Sequence, residues 1–143
     1  MPARSEFKVA VTKDNLVFAS AHFITFPGHR CETLHGHNYR TRVVVEGGLD
    51  PEAHYVFDFS ELKNLMKRLT DEIDHKVLLP TQNPKIDCAL LPVPNTTVEM
   101  LAQYLAGRVC RELAGSGAVH VRAVEVEVEE NFGQSATYRE SVT

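Results

Sequence analysis

Alternating apolar and polar residues open the chain and predict extended strands. Phe7, Val9 and Val11 alternate with polar neighbours, which is the period-two pattern of a strand with one buried face. The stretch from about residue 7 to residue 26 is therefore predicted to form two extended segments or one long bent strand. After a loop, a further strand is predicted from about His35 to Glu46.

Two later stretches repeat apolar residues every three or four positions, the spacing of an amphipathic helix. The first helix is predicted to begin at Ser60 and to end near residues 74–76. Its apolar face consists of Leu62, Leu65, Met66, Leu69 and Ile73. The second helix is predicted from about Thr97 to Leu113, with an apolar side of Val98, Leu101, Leu105, Val109 and Leu113. A proline-rich loop over about residues 79–95 separates the two helices.

The C-terminal part returns to the strand pattern. Val124, Val126 and Val128 alternate with glutamates, so we expect a third strand over about residues 119–130 and a fourth over about 136–142. The order β-β-α-α-β-β predicts an α+β fold, with two helices on one face of a four-stranded antiparallel sheet. The long strands, and the charges on the other face of the sheet, favour an oligomer.

Length and composition predict one globular domain over residues 1–143. The net charge of -4 argues against nucleic acid or an anionic membrane as a main partner. No stretch has the pattern of a signal peptide or of a membrane span. Three cysteines, an odd number without the spacing of a disulfide framework, favour a reducing compartment. We therefore expect a cytoplasmic protein.

The densest group of reactive side chains lies in the stretch from Cys31 to Tyr39. His35 and His37 project from the same face of the predicted strand, because side chains alternate across a strand. His22 comes from the neighbouring strand, and three imidazoles are the protein ligands of many catalytic zinc sites. We predict a zinc ion held by His22, His35 and His37, although iron, copper and nickel also accept imidazole.

Cys31 allows two functional interpretations and one structural one. It could be the fourth ligand of a closed zinc site, or a free thiolate that acts as base or nucleophile beside an open metal. It could also be an inert small hydrophobic residue. Its position in a polar loop that opens with Pro27-Gly28 favours the catalytic interpretation.

Three further groups of polar residues are candidates for function. Asp74-His75 closes the first predicted helix and would form a proton relay only beside a thiol or hydroxyl. Thr96 and Glu99 have the spacing of a capping box, which leaves Thr97 free for a ligand. Glu130 is in phase with the valines of its strand and so falls on the apolar face. A carboxylate there needs a partner, such as a ligand with paired N–H groups.

The combination of these motifs resembles the 6-pyruvoyl-tetrahydropterin synthase family, most closely its bacterial branch, the 6-carboxy-tetrahydropterin synthases of queuosine biosynthesis. The resemblance covers nearly the whole chain, and its specific part is the spacing Cys31-x-x-x-His35-Gly36-His37. The other matching segments are Phe18-Ala19-Ser20-Ala21-His22, Asn38-Tyr39, Asp58-Phe59, Asp74-His75-Lys76, Thr97-x-Glu99, Glu130 and Tyr138-Arg139.

The resemblance implies the tunnelling fold, with trimers stacked into a homohexamer and sites between subunits. It implies that Cys31 is the catalytic base, with Asp74 and His75 as its proton relay from a neighbouring subunit. Glu130 would anchor the pterin ring, with Thr97 and Glu99 nearby. The implied reaction converts 7,8-dihydroneopterin triphosphate into 6-carboxy-tetrahydropterin, with acetaldehyde and triphosphate as the other products.

The sequence also departs from the family pattern. Val77-Leu78-Leu79 replaces the usual Asn-Leu-Asn, and Glu32 resembles the glutamate of the branch that cleaves dihydroneopterin side chains for folate synthesis. The alternatives are therefore 6-pyruvoyl-tetrahydropterin synthase activity, folate-branch cleavage to 6-hydroxymethyl-dihydropterin by Glu32, or a pterin- or metal-binding module without turnover. Candidates for the triphosphate, by charge and position, are Arg30, Lys76 and Lys85.

Overall fold

The computed structural model of the protein describes residues 6–12, 16–24, 33–79 and 88–142. These ranges contain two helices and seven strands of one mixed sheet. The strands are β1 (Phe7–Val11), β2 (Val17–His22), β3 (His35–Gly47), β4 (Lys76–Leu79), β5 (Cys88–Leu90), β6 (Val121–Asn131) and β7 (Gln134–Ser141). The helices are α1 (Phe59–Asp71) and α2 (Val98–Gly115).

β3 organises the sheet because its 13 residues pair with three other strands. Its first half is antiparallel to β2, its second half is antiparallel to β1, and its other edge is antiparallel to β6. β7 extends the sheet beyond β6, again antiparallel. The pairing of β2 with β3 brings the histidines of the two strands close together.

The prediction of four antiparallel strands is wrong, although the α+β architecture with two helices is confirmed. β4 is parallel to β2, and β5 is parallel to β4, which makes the sheet mixed. These two strands have four and three residues. A strand so short shows no clear alternation, and both lie in or beside the stretch predicted as a proline-rich loop.

α1 forms where its apolar face was predicted and starts one residue early, at Phe59. Its predicted end near residues 74–76 is wrong, because the helix ends at Asp71 and Ile73 lies beyond it. Asp58 caps the helix, and its carboxylate accepts the backbone N–H of Glu61 at 3.0 Å. The five predicted apolar residues Leu62, Leu65, Met66, Leu69 and Ile73 are all buried. Burial of this face against the sheet stabilises the helix.

α2 begins at Val98, and the capping box predicted for Thr96 and Glu99 is wrong. Thr97 is the cap, because its hydroxyl oxygen accepts the backbone N–H of Met100 at 3.3 Å. Thr96 is fully buried instead and donates its hydroxyl to the carbonyl of Phe23 at 3.2 Å. The start of α2 is thereby joined to the end of β2.

The core lies between the helices and the apolar face of the sheet. Val124, Val126 and Val128 are buried there, as their alternation predicts. On the other face Lys8 and Arg139 form ion pairs with glutamates of β3 and β6. Of the helices within the described ranges, neither combines the length and the hydropathy that a bilayer crossing requires.

Candidate metal centre

Three histidines converge at the end of the β2–β3 pair. His22 is the last residue of β2 and lies directly opposite His35, the first residue of β3. His37 is two residues further along β3, so its side chain projects on the same face. One ligand atom from each ring lies within 4.8 Å of the other two. The structure therefore brings together the three side chains that were predicted as metal ligands.

Backbone carbonyls fix the tautomers of two of these rings. The Nδ1 of His22 lies 2.7 Å from the carbonyl oxygen of Thr96, and the Nδ1 of His35 lies 2.7 Å from that of Thr33. A carbonyl only accepts hydrogen bonds, so in each pair the Nδ1–H donates. Each Nε2 of a neutral ring is then left with a lone pair, the arrangement found in histidines that bind metal.

The two free nitrogens of these rings face each other. The Nε2 atoms of His22 and His35 are 3.0 Å apart. Two lone pairs at this distance repel each other unless a proton or a metal ion lies between them. Burial lowers the pKa of His22 to about 4, with smaller effects in the same direction from His35 and His37 and an opposing one from the Thr96 carbonyl. The neutral, metal-binding form of His22 is therefore favoured at neutral pH.

His37 completes the donor set with a nitrogen that nothing else satisfies. Its Nε2 is buried and has no hydrogen-bond partner among the residues that the structure describes. The nearest carboxylate oxygen, the Oε2 of Glu130, is 3.9 Å away, too far for a hydrogen bond. A buried polar atom without a partner is costly, and ligation of a cation would compensate it. The three imidazoles therefore fit a divalent metal ion.

Glu130 lies on this face at an irregularity in β6. The register with β7 shifts between Glu129 and Asn131, so Glu130 is the extra residue of a bulge. Bulges bend a strand and redirect side chains, often beside functional sites. The side chain of Glu130 is 22% exposed beside His37, which agrees with its apolar parity in the sequence.

The other two residues predicted to bind substrate lie at the start of α2. Thr97 caps the helix, and Glu99 is exposed in its first turn. Both follow Thr96, whose carbonyl holds His22. The carbonyls of Thr33 and Thr96 were not predicted to take part in the site, because any residue type could supply them.

Asp74 and His75 lie against each other in the turn between α1 and β4. The Nδ1 of His75 is 3.0 Å from the Oδ2 of Asp74. The other carboxylate oxygen of Asp74 accepts the N–H of Ala19 at 2.8 Å, and the N–H of His75 donates to the carbonyl of Ala19 at 2.6 Å. His75 has a left-handed φ of 58° and an 83% exposed side chain. The turn thus holds His75 in an uncommon conformation, exposed at the edge of β2.

His75 does not join the imidazole cluster of its own chain. It lines a cavity of about 400 Å³ with Ala19, Ala21, Gly36 and Asn38, and also with Ser20 and His37. Ala19, Ala21, Gly36 and Asn38 alternate with the clustered histidines and belong to the opposite face of the sheet, whereas Ser20 and His37 share the face of the cluster. Lys76, a candidate for the triphosphate, lines the same cavity.

Four other residues singled out in the sequence, Arg30, Cys31, Glu32 and Lys85, lie outside the described residues. The catalytic roles of Cys31 and Glu32 therefore stay predictions.

Residues 10–141 match the family model of 6-pyruvoyl tetrahydropterin synthase. The chain belongs to the 6-pyruvoyl tetrahydropterin synthase family. This confirms the family resemblance predicted from the sequence and places the chain in a family of tetrahydropterin-synthesising enzymes.

Relatives carry more than one kind of enzyme name. The 6-carboxy-5,6,7,8-tetrahydropterin synthase of Aquifex aeolicus is 30% identical over 91% of this chain and 90% of its own length. A Methanocaldococcus jannaschii protein that carries the same name provisionally is 33% identical over 87% of this chain and 90% of its own length. The dihydroneopterin monophosphate aldolase of Pyrococcus furiosus is 33% identical over 68% of this chain and 73% of its own length.

Solved structures of this family have the same fold. A Plasmodium vivax 6-pyruvoyltetrahydropterin synthase superimposes with a TM-score of 0.85 at 28% identity, over 96% of this chain and 99% of the other. In that structure a catalytic glutamate is replaced by cysteine.

Proposed function

We propose that this protein is a zinc-dependent lyase that acts on 7,8-dihydroneopterin triphosphate. With one water, the substrate would give 6-carboxy-5,6,7,8-tetrahydropterin, acetaldehyde and triphosphate, a precursor step of queuosine synthesis. The name of the Aquifex relative supports this activity. The single observation that carries the proposal is the convergence of three imidazoles in a chain of this family.

Zinc is the proposed metal because three imidazoles form the protein part of many open zinc sites. His22, His35 and His37 would hold it, and the carbonyls of Thr96 and Thr33 would keep the rings of His22 and His35 in the tautomer that presents Nε2. When bound, the metal would act as a Lewis acid on the oxygens of the substrate side chain, which makes an adjacent C–H more acidic.

Glu130 is the proposed anchor of the pterin ring. A carboxylate accepts two parallel N–H groups well, and the pterin ring presents such a pair. The carboxylate of Glu130, at the bulge in β6, lies 3.9 Å from the Nε2 of His37. A ring bound there would carry its side chain toward the metal, and Thr97 and Glu99 at the start of α2 are proposed to contribute to the same pocket.

Cys31 is the proposed catalytic base, with His75 and Asp74 as its proton relay. The thiolate of Cys31 would take the proton from the activated carbon, and the imidazole of His75 would exchange protons with the thiol. The pairing of His75 with Asp74 at 3.0 Å supports its role as a proton carrier.

The relay would come from a neighbouring subunit. His75 is outside the group of three histidines of its own chain, and its backbone is bonded to Ala19, whose side chain is on the opposite face of the sheet. This supports an assembly in which sites lie between subunits. We propose a homohexamer of single-domain subunits over residues 1–143, in the cytoplasm, without nucleic-acid or membrane partners.

The second candidate is cleavage of the dihydroneopterin side chain to 6-hydroxymethyl-dihydropterin, with Glu32 as the acting carboxylate. Two observations favour it: one relative is named an aldolase of dihydroneopterin monophosphate, and a similar Plasmodium vivax synthase has a catalytic glutamate. Formation of 6-pyruvoyl-tetrahydropterin, and a binding module whose zinc is closed by Cys31, are the remaining alternatives.

Identification of the product distinguishes these functions. Zinc-loaded protein is incubated with 7,8-dihydroneopterin triphosphate, and the pterins are separated and identified by mass. We expect 6-carboxy-tetrahydropterin, with its loss in Cys31→Ala and its retention in the matched variant Glu32→Ala. A 6-hydroxymethyl product that disappears in Glu32→Ala would instead establish the folate-type reaction.

A binding module would give no product from the same incubation. Its cobalt-substituted form would show a thiolate charge-transfer band, because Cys31 would be a ligand.

A further inference from the structure

Ser20 connects β2 to the turn that carries Asp74 and His75. Its side chain is buried, and its hydroxyl donates a hydrogen bond to the carbonyl of Ile73 at 2.5 Å. Ile73 stands directly before Asp74 and His75, and its own side chain is buried in the core. A buried hydroxyl needs a hydrogen-bond partner, and here that partner is the backbone of the turn.

Three hydrogen bonds join this turn, defined here as residues 73–75, to β2. Two of them involve the backbone of Ala19, whose N–H donates to the carboxylate of Asp74 and whose carbonyl accepts the N–H of His75. Every residue type has that carbonyl, and every type except proline has that N–H. The third bond comes from Ser20 and is the one of the three that requires a particular side chain on β2.

The turn depends on these bonds because the side chain of His75 does not fix it by packing. That side chain is 83% exposed, and the backbone of His75 has a left-handed φ of 58°. A residue other than glycine adopts this conformation where the surrounding contacts determine it. Without the hydroxyl of Ser20, the carbonyl two residues before His75 would be released, and the turn would keep its two bonds to Ala19.

Ser20 also lies beside the metal ligands of its own chain. It is directly opposite His37 in the pairing of β2 with β3, and it precedes His22 by two residues on the same face. Among the described residues, the hydrogen bond of its hydroxyl goes to Ile73 and not to an imidazole. β2 therefore carries a metal ligand at its end and the attachment of the turn two residues earlier.

We propose that Ser20 is a positioning residue that holds residues 73–75 in place for the proton relay, and that it acts on the site of the neighbouring subunit. This inference rests on the proposed function, in which His75 serves a neighbouring site. Ser20 contacts neither the substrate nor the metal. Each β2 would then serve two sites, because His22 binds the metal of one site and Ser20 sets the relay of the next.

Zinc-loaded Ser20→Ala gives the first test. We expect its kcat with 7,8-dihydroneopterin triphosphate to fall about tenfold, because a small displacement of a proton carrier slows the step that it serves. KM should change less than about twofold, and the zinc content should stay at about one ion per chain.

The matched control is Thr41→Val, which removes another buried hydroxyl. Thr41 lies on β3, and its hydroxyl donates to the carbonyl of Leu16 at 2.7 Å. The two variants lose the same kind of bond, but Thr41→Val loses it away from residues 73–75. We therefore expect its kcat to be unchanged.

Mixed assemblies determine which site Ser20 serves. When Cys31→Ala chains assemble with His75→Ala chains, an active site takes His75 from the first chain and Cys31 and the metal from the second. Ser20→Ala added to the Cys31→Ala chain should lower this activity about tenfold, since that chain supplies the turn. The same change in the His75→Ala chain should alter the activity less than about twofold.

A second variant guards against a failure of Ser20→Ala chains to assemble. In that case Ser20→Cys replaces it in both mixtures, because a thiol is a weaker donor of similar size. The activity should again fall only when the Cys31→Ala chain carries the substitution.

The contrary outcomes are distinct. An unchanged kcat in Ser20→Ala, equal effects in the two mixtures, or a larger effect in the His75→Ala chain overturns the inference and leaves the proposed function intact. Loss of zinc from Ser20→Ala also overturns it, because the serine would then support the metal ligands.

Two results would reach further than Ser20. If the unmodified protein forms 6-carboxy-tetrahydropterin but Cys31→Ala and His75→Ala do not restore activity together, sites are not shared, and the inference fails while the activity stands. If the unmodified zinc-loaded protein forms no such product, the proposed function fails, and the inference fails with it.

Discussion

The protonation of individual histidine nitrogens decides what this site can bind. Thr33 and Thr96 contribute only their carbonyls, yet these hydrogen bonds turn the Nε2 atoms of His35 and His22 toward each other. Neutral rings in this arrangement present lone pairs to one point. The metal site is thus specified as much by backbone acceptors as by the imidazoles themselves.

Removal of one imidazole should empty the site. In His37→Gln, two imidazoles remain, which is fewer than the three protein ligands of an open zinc site. We expect the zinc content to fall from about one ion per chain to about a tenth or less, as measured by elemental analysis after dialysis. His120→Gln is the control, since His120 lies 3.5 Å from Asp50 and outside the cluster. Full zinc content in His37→Gln would exclude this residue as a ligand.

The carboxylate of Asp74 links the turn that carries Asp74 and His75 to β2. Its carboxylate accepts the N–H of Ala19, and this bond, with a smaller contribution from His75, lowers the pKa of Asp74 below its ordinary value of 3.8. A lowered carboxyl pKa stabilises the folded state above the unfolded pKa, and this stabilisation is lost as the pH falls through the folded pKa.

We therefore expect Asp74→Asn to be less stable than the unmodified protein near neutral pH, by about 1 kcal/mol for this partly exposed group. The difference should shrink as the pH falls below 3.8, the ordinary value, and disappear only at the lower pH at which folded Asp74 is protonated, because its pKa in the folded protein is lowered. Urea unfolding at several pH values measures both. Asp71→Asn, an exposed carboxylate paired with Lys67, should change stability little at any pH. If Asp74→Asn were less stable by the same amount at every pH, the charge of Asp74 would not be what stabilises the folded protein.

Among the elements, the start of α2 supports the metal site most directly. Thr97 caps the helix, and the preceding residue, Thr96, accepts the Nδ1–H of His22. The cap of α1 is chemically similar, because Asp58 also accepts a backbone N–H, but α1 carries none of the clustered histidines or their acceptors. The two caps therefore allow a matched comparison.

Thr97→Ala and Asp58→Ala should each lower the free energy of unfolding by about 1 kcal/mol. We expect only Thr97→Ala to weaken zinc binding, by about tenfold, because fraying of α2 loosens the Thr96 carbonyl. Chemical unfolding and competition with a chromophoric chelator measure the two effects. Equal zinc affinity in the two variants would mean that the cap does not support His22.

At the scale of the whole molecule, the sheet separates two groups that the proposed chemistry needs together. The imidazole cluster lies on the face that packs on the helices, and His75 is exposed outside it, with its backbone bonded to Ala19, whose side chain is on the opposite face. Within one chain, His75 is therefore not a member of the imidazole cluster. Symmetric assembly would solve this, because a neighbouring copy presents its opposite face.

Mixed assemblies test whether sites are shared between subunits. Cys31→Ala and His75→Ala should each be inactive alone. If each site takes Cys31 from one subunit and His75 from another, random reassembly of an equal mixture should restore about a quarter of the activity. The measurement is product formation after joint unfolding and refolding, with each variant refolded alone as control. No recovery from assemblies of the normal size would place both residues in one subunit.

Local periodicity determined much of this protein from the sequence alone. The buried faces of α1, the valines of β6 and the shared face of His35 and His37 were predicted correctly. These features depend on the geometry of the chain over a few residues, where a helix repeats every 3.6 residues and a strand every two.

Features that depend on contacts between distant segments were decided by the tertiary structure. The parallel pairing of β4 and β5 was missed because their few residues have no pattern of their own. Thr97 caps α2 in place of the predicted Thr96, because Thr96 is buried against Phe23 and His22. The bulge at Glu130 and the position of His75 follow from strand register and from which face each strand presents. Such choices depend on packing among residues far apart in sequence, and short-range periodicity carries no information about them.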